Sequence, residues 1–585
     1  MKLTKMPFGR GRGELAALVA VFACAVGTLS AATRTVSDVD ELYEALADLS
    51  NKSTSYIVLN AGTYDVSGRT HPGPGDAHLG ATNIIFQGAT GNREDVLVFG
   101  DMTRPVFGLY SGGVRHLTVS NGTRGVYASG SGSTMTNLFV TCCGTNTLNG
   151  GAGYQGVWKD CLIVGNIGNY GGGLYSCTAQ YCIISNNQAT SRGGGMYGGT
   201  MVGSLITGNR APNGGGMYDG TARGGRIELN DADYQGGGAY GTVISNKCVI
   251  YGNSLARFKK EGTGDRYGAG VRSGSVYDSM IIGNAVLGGG GNKQGGGTYG
   301  TSLYDCLIAN NYSVGLASAI NSGKAVRCVI SNNVTSSAQG YPIRQLSGGL
   351  VDCVVYNEFC NSVKFANRCK FIGFTGKWTL TADDNPHTNG TFSASTTSLN
   401  FLYAGNYLTN CLIANNTAGR LFLSSGSNFG VVNCTIVDNK IDYFGSDFTT
   451  NKLKVVNCIF AGNKKRDGSE LETYFEGRSS NHTNVTLHCC AFDKPIYSKT
   501  KNKTPAFQSN IYQFSNMKFD SRNEEHPYSL RYNSPARGLG ELLGWTDGDL
   551  DIRKDAAYPR IRDGKVDLGC YQCWLDPIGF KFYIW

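Results

Sequence analysis

The chain has 585 residues, of which 84 are glycine and 13 proline, with hydrophobic residues at 41%, aromatics at 11% and charged residues at 16%. Glycine at about twice its usual ~7% share, charge below the ~25% norm and no strict third-residue glycine period exclude a coiled coil, a disordered chain and collagen, leaving a glycine- and tyrosine-rich all-β protein. The net charge of +9 drops to +6 once the four cations and one anion of the first 32 residues are set aside, which is too little and too dispersed for a nucleic-acid partner.

In chain order, residues 1–32 read as an export signal: a basic stretch to Arg12, an apolar run from Leu15 to Leu29, and small Ser30 and Ala32 at the −3 and −1 positions of a cut. The run is too short for the ~20 residues of a spanning helix, so no integral membrane domain is expected, and Phe22 argues against a lipoprotein cut before Cys24. An exported chain starting near Thr33 would be secreted, periplasmic or held at the cell surface. Next, Val39, Leu42, Tyr43, Leu46 and Leu49 fall on one helical face, which predicts a short helix lidding the first edge of the strands beyond it. Residues 33–100 are read as this cap with the first coils, 101–503 as repeats, and 504–585 as a C-terminal capping region.

The repeats begin with CLIVGN at Cys161, CIISNN at Cys182, SLITGN at Ser204 and CVIYGN at Cys248, and continue to CTIVDN at Cys434 and CIFAGN at Cys458. Degenerate copies start at His116, Asn137, Arg226 and Cys490. Half a period away comes a second motif, GGGLY at Gly171, GGGMY at Gly193 and Gly214, GGGAY at Gly236 and GGGTY at Gly295. Short strands recurring every 21 to 27 residues without helical periodicity stack most economically as a right-handed parallel β-helix. Roughly eighteen coils at ~4.8 Å each would give a rod on the order of 90 Å long. A β-propeller would need ~40-residue blades and signatures that are absent.

Strand alternation turns Cys434 and Ile436 inward and Asn433 and Thr435 outward. The asparagine five positions after the cysteine, as in Asn166, Asn209, Asn253 and Asn439, falls at a turn and reads as a structural ladder. Nineteen cysteines in an exported chain suggest disulfides, but most occupy one inward slot, which Ser204 and Ser279 also fill. Stacked free thiols are the favoured reading. Neighbouring coils are nevertheless close enough for a pair such as Cys161 and Cys182 to oxidise, and Cys570 and Cys573 read as a local bridge or spare thiols.

The period loosens near 254–266, 359–405 and 464–488, which are expected to protrude as loops. The loop pair Asp383 and Asp384, with His387, matches fragments of glycan-cleaving motifs; a solvated acidic loop is the plainer reading. Asp547, Asp549 and Asp551 space like the start of a calcium loop, but Ile552 and Tyr558 stand where glycine and glutamate belong, so a capping turn is favoured and no cofactor is expected. Tyr175, Tyr197, Tyr218, Tyr240 and Tyr299 must align along the rod, either as core or partly buried packing, the favoured reading, or as an aromatic strip for sugars. RIELND puts Arg226 and Glu228 on the cysteine and isoleucine positions. A one-residue slip turning Ile227 and Leu229 inward would project Arg226 and Glu228 beside Arg223, Asp231 and Asp233 as a polar ligand patch.

The alternating GGGxY and CxIxxN copies resemble the repeats of polymorphic outer-membrane proteins, whose passengers are β-helices used in adhesion. Ser534 to Cys573, with Asp567, Leu568, Gly569, Cys570, Tyr571 and Gln572 as its most telling run, resembles the ending of bacterial surface β-helix proteins called choice-of-anchor Q proteins. The resemblance implies a secreted or surface solenoid of a Gram-negative-type bacterium, here without a downstream membrane barrel. The function expected is a non-catalytic binding or adhesion module for extracellular polysaccharide or another surface polymer. The alternative is a polysaccharide lyase or glycoside hydrolase of the pectin-lyase-like type.

Overall fold

The computed structural model describes most of residues 31–572; residues 1–30, 50–53, 258–262, 381–386, 472–484, 496–506, 544–564 and 573–585, with shorter stretches between 131 and 525, lie outside the description. The export signal and Asp383, Asp384, Asp547, Asp549 and Asp551 therefore fall outside it, as does the side chain of His387.

The chain winds into a right-handed parallel β-helix of about 16 turns. One coil shows the plan: strands Leu162–Val164, Ile167–Tyr170, Leu174–Tyr175 and Thr178–Gln180. Each pairs in parallel with its counterpart one coil on, Ile163 with Ile184, Ile167 with Gln188, Tyr175 with Tyr197 and Ala179 with Met201. The four walls so formed are the cysteine, flank, tyrosine and middle sheets. Strands of two to five residues cannot curve through the corners, so the backbone turns there through the left-handed region. Before the ladder asparagine this falls on Gly165, Asn186 and Gly208 (φ 68°, 53° and 65°), and before the cysteine slot on Asp160, Tyr181 and Gly203 (φ 56°, 54° and 56°). The left-handed residue is thus the one preceding the ladder asparagine, which explains the recurrent GN, NN and DN pairs.

The cysteine sheet sends Cys161, Ile163, Cys182, Ile184, Cys248 and Ile250 into a continuous core. Every cysteine whose side chain is described is a free thiol, and all but Cys142 are buried. Their sulfurs are satisfied by main-chain oxygens, as where Cys161 Sγ donates to Lys159 O at 3.2 Å. Burial pushes the Cys143 and Cys248 thiols up to about 12 from an ordinary 9.0.

The asparagine ladder is a two-stranded hydrogen-bond device. Asn209 Nδ2 donates to Ile184 O at 2.8 Å and Asn230 Oδ1 at 3.0 Å, while its own Oδ1 accepts from the main-chain N–H and Nδ2 of Asn187 at 2.9 and 3.0 Å. The pattern repeats from Asn166 to Asn333 and again from Asn416 to Asn463. Each asparagine amide so replaces the main-chain pairing that is lost at a corner.

Helix α1 (Val39–Leu49) buries Leu42, Ala45, Leu46 and Leu49 against strands Thr33–Val36 and Ser55–Leu59, closing the first coil. Asp38 and Glu41 fix its start, Asp38 Oδ1 accepting from Glu41 N and Glu41 Oε2 from Ser37 N. Residues 359–405 depart from the loop expectation. Strands at Lys370–Ile372 and Thr391–Ser393 continue the cysteine sheet in register, Lys370 with Val354 and Leu412 with Thr391, and His387–Thr388 pairs with Leu408 and Thr409.

At the far end comes the C-terminal segment, described around Met517 to Leu542 and from Lys565 to Gln572. It lies across the outer face of the cysteine sheet, where Met517, Leu530, Ala536, Leu568, Cys570 and Tyr571 cover Leu412, Val437 and Ile459. Cys570 N donates to Thr435 Oγ1, Gly569 N to Asn457 O, and Asn457 and Glu541 exchange two hydrogen bonds of 2.8 Å.

Candidate binding surface

In a two-residue strand such as Leu174–Tyr175, the leucine is buried and the tyrosine faces outward. The five tyrosines of the GGGxY copies therefore stand on the outside, against the favoured core reading but in keeping with partial burial. Tyr218 is 9% exposed and the others are half-buried. They are brought into one row with Tyr127 and Tyr154, whose preceding TRGV and GGAG runs hide the motif. From Tyr127 through Tyr154, Tyr175, Tyr197 and Tyr218 to Tyr240 the rings stack with centroids 4.8, 5.0, 5.2, 5.5 and 4.5 Å apart and planes within 13°. In the next coil Arg272 takes the tyrosine register, its guanidinium carbon 5.7 Å from the Tyr240 ring centre and 4.6 Å from that of Tyr299. The signal for Arg272 was GAGVR at Gly268, a degenerate copy with arginine in the tyrosine slot.

A second rank lines the flank-sheet side of the glycine turn: Tyr170, Arg192, Asn213, Gln235 and Tyr267 are in register along the rod. The two ranks meet because the turn between them has no side chains. Gly171 adopts φ 68°, and a Cβ on Gly194 would lie 2.3 Å from Gly215 O, so only glycine lets successive turns stack. Tyr170 touches Tyr197 at 5.1 Å, and Arg192 lies over both Tyr170 and Tyr218 at 5.9 and 5.0 Å. Arg124 covers Tyr127 and Tyr154 at 5.2 and 5.4 Å.

This packing dictates what the band can contact. The ring faces are filled by one another and by guanidinium planes, so no sugar can stack on them; ring edges, hydroxyls and guanidinium N–H groups remain. Partial burial raises Tyr175 and Tyr218 above the ordinary tyrosine range, keeping their hydroxyls neutral donors, and desolvation lowers Arg124. Exposed Asp219, raised by desolvation against the pull of Arg192, borders the band.

Arg124 also reaches a polar cleft of about 790 Å³ bounded by Asp76, Asp101, Arg104, Thr123 and Leu148. Its charges are internally committed. Arg104 pairs with Asp76, and Asp101 accepts from the Gly68 and Thr103 N–H groups and contacts buried His78 at 3.0 Å. Those contacts, led by the Thr103 side chain, hold Asp101 far below the usual carboxylate range.

The charged patch does not assemble. The cysteine slot of that coil is Gly225, so Ile227 pairs with Ile206 and Ile250 and points inward as the slip requires, whereas Leu229 turns out at a corner (φ 55°), 46% exposed. Arg226 and Glu228 do project from the cysteine sheet, paired at 2.6 Å. Arg223 lies exposed on the middle sheet, and Asp233 pairs with Arg210 on the flank sheet. Asp231 is buried, held by Ser254 Oγ and Arg257 N, and desolvation raises it. Among the described residues no group of three or more His, Cys, Asp or Glu could hold a metal, and no helix is long and apolar enough to cross a membrane.

No family model matches the chain, and no curated protein does. Among solved structures, it is similar to the PL6-family alginate lyase AlyGC, at 11% identity over 79% of this chain and 80% of that one, with a TM-score of 0.25. A mannuronic acid specific polysaccharide family 6 lyase from human gut microbiota matches at 11% identity over 84% and 93%, with a TM-score of 0.19. The catalytic domain of a GH87 α-1,3-glucanase in complex with nigerose matches at 12% over 82% and 68%, with a TM-score of 0.18.

Proposed function

We propose that the chain is an exported, surface-displayed binding module that takes an extended glycan lengthwise along the tyrosine band. The observation that carries this reading is the row of outward tyrosines, one per coil from Tyr127 to Tyr240, extended by Arg272 and Tyr299 and flanked by Arg124 and Arg192. A donor repeated every coil suits a polymer whose hydroxyls or carboxylates also repeat. Binding is then by hydrogen bonds from tyrosine O–H and arginine N–H, with many weak contacts adding along the chain. Affinity therefore grows with ligand length, and chain ends are not specially recognised.

The test is a screen of purified protein against immobilised polysaccharides and their length series, with product release measured in parallel. Tyr175→Phe/Tyr197→Phe/Tyr218→Phe keeps the ring stack but deletes three hydroxyls; at ~1 kcal/mol per lost neutral hydrogen bond, retention should weaken at least tenfold. Retention without turnover, lost in that variant, supports the reading. Turnover of a retained polymer, or retention unchanged by the variant, overturns it.

A further inference from the structure

Charge pairing sets the arginines of the tyrosine band apart. Among the described residues eight arginines off the band hold a carboxylate, as do Arg69 with Asp40, Arg226 with Glu228, Arg327 with Asp305 and Arg466 with Asp442. Arg124, Arg192 and Arg272 hold none among those residues. A guanidinium has five N–H donors. Arg124 commits Nε to Asn149 O at 2.7 Å, Arg272 commits Nη1 to Ser273 Oγ, and Arg192 commits none to a described residue. The rings of Tyr127, Tyr218 and Tyr299 lie under the three guanidinium planes, which leaves the N–H edges for a ligand. Nearby acids do not neutralise them. Asp265 accepts from Tyr267 O–H at 2.7 Å and Asn292 N at 2.8 Å, and Asp219 feels Arg192 from beyond ion-pair distance.

The three are also evenly spread. Arg124 belongs to the coil of Tyr127 and Arg192 to that of Tyr197, while Arg272 takes the tyrosine position after Tyr240. Each therefore follows the last by three coils, about 14 Å at ~4.8 Å per coil. That exceeds the ~8 Å Debye length at physiological salt, so the charges repel one another little and tolerate being unmatched. Guanidinium edges donate and never accept, which favours a group that accepts and never donates. A carboxylate or sulfate does so, and a carboxylate takes two parallel N–H donors at once.

We propose that the polymer taken along the band is acidic, an extended polysaccharide whose carboxylate or sulfate groups meet Arg124, Arg192 and Arg272 in turn. This rests on the lengthwise binding proposed above and adds the charge class of the ligand. Tyrosine hydroxyls on the intervening coils hold sugar hydroxyls, and the guanidinium edges select for anions. A neutral polymer of the same backbone keeps the first kind of contact and loses the second, which is the stronger.

The experiment compares retention of the full chain on immobilised polygalacturonate and on the same polymer with its carboxyls reduced to alcohols, with dextran sulfate and dextran as the pair that reports sulfate. At least one acidic polymer should be retained tenfold or more over its neutral counterpart, and raising salt from about 0.05 to about 0.5 M should remove most of that preference. Arg192→Gln/Arg272→Gln should bring the preference below about threefold, whereas Arg327→Gln, at a paired site off the band, should leave it whole. Preference for polygalacturonate identifies carboxylate as the anion, and preference for dextran sulfate identifies sulfate. Equal retention of acidic and neutral polymers, retention of neither acidic polymer, or a preference that survives Arg192→Gln/Arg272→Gln overturns the charge class. The band reading then stands or falls separately, on whether Tyr175→Phe/Tyr197→Phe/Tyr218→Phe loses retention of a neutral polymer.

Discussion

Replacing Asn209 by alanine probes the ladder where its hydrogen bonds are complete. The side chain is fully buried, and its removal strips the partner from the Asn187 N–H, 2.9 Å from Asn209 Oδ1, while Ile184 O, 2.8 Å from Nδ2, keeps its place in the strand ladder. A buried main-chain group left unpaired costs ~1–3 kcal/mol, a large part of ordinary domain stability. Asn209→Leu restores volume but not hydrogen bonds and should do no better. A solenoid loses stability locally, so the assay is amide hydrogen exchange resolved by coil, backed by urea unfolding. The Asn187 amide and its neighbours in the flanking coils should lose protection first, by about fivefold or more, whereas Ser185→Ala on the outer face should shift unfolding by less than ~0.5 kcal/mol. Unchanged protection in Asn209→Ala would refute the claim that the ladder holds the corners.

The core and the tail give three further expected outcomes. Cys143 and Cys248 are neutral and buried, raised from 9.0 to about 12, so stability should be whole below pH 9 and fall between pH 9 and 12 by ~1.4 kcal/mol per unit for each thiol; Cys248→Ser, matching the natural serines of that slot, should flatten the alkaline limb, and an unaltered limb would contradict the assignment. Thiol titration in denaturant on unreduced protein should find the repeat cysteines reactive, and near-complete oxidation would reverse the free-thiol reading. Truncation after Asn533 should uncover Leu412, Val437 and Ile459 and produce dye-binding aggregates, whereas a soluble product without dye binding would show the tail contributes little.

The parts of this structure legible in the sequence are those governed by strand alternation and a fixed period. Cys161, Ile163 and Asn166 could be assigned to core and ladder because three-residue strands alternate and their coils repeat. The tyrosines were harder: a two-residue strand such as Leu174–Tyr175 offers no alternation, and tyrosine suits either side. Gly225 hides the register of its coil because a glycine in the cysteine slot leaves Arg226 on the apparent beat, and the sequence pattern then puts Asp231 outside whereas it lies within. The tail's position was not readable at all. Cys570 meets Thr435 across 135 residues, and local pattern carries no information on such a contact.

The central claim is tested most directly by hydroxyl-radical footprinting of the protein with and without a retained polysaccharide. Protection recurring once per coil at Tyr154, Tyr175, Tyr197, Tyr218 and Tyr240, and extending with ligand length, is the predicted result. Protection confined to the cleft around Asp101 and Arg104 or to the cysteine sheet, with the tyrosine row unchanged, would contradict it.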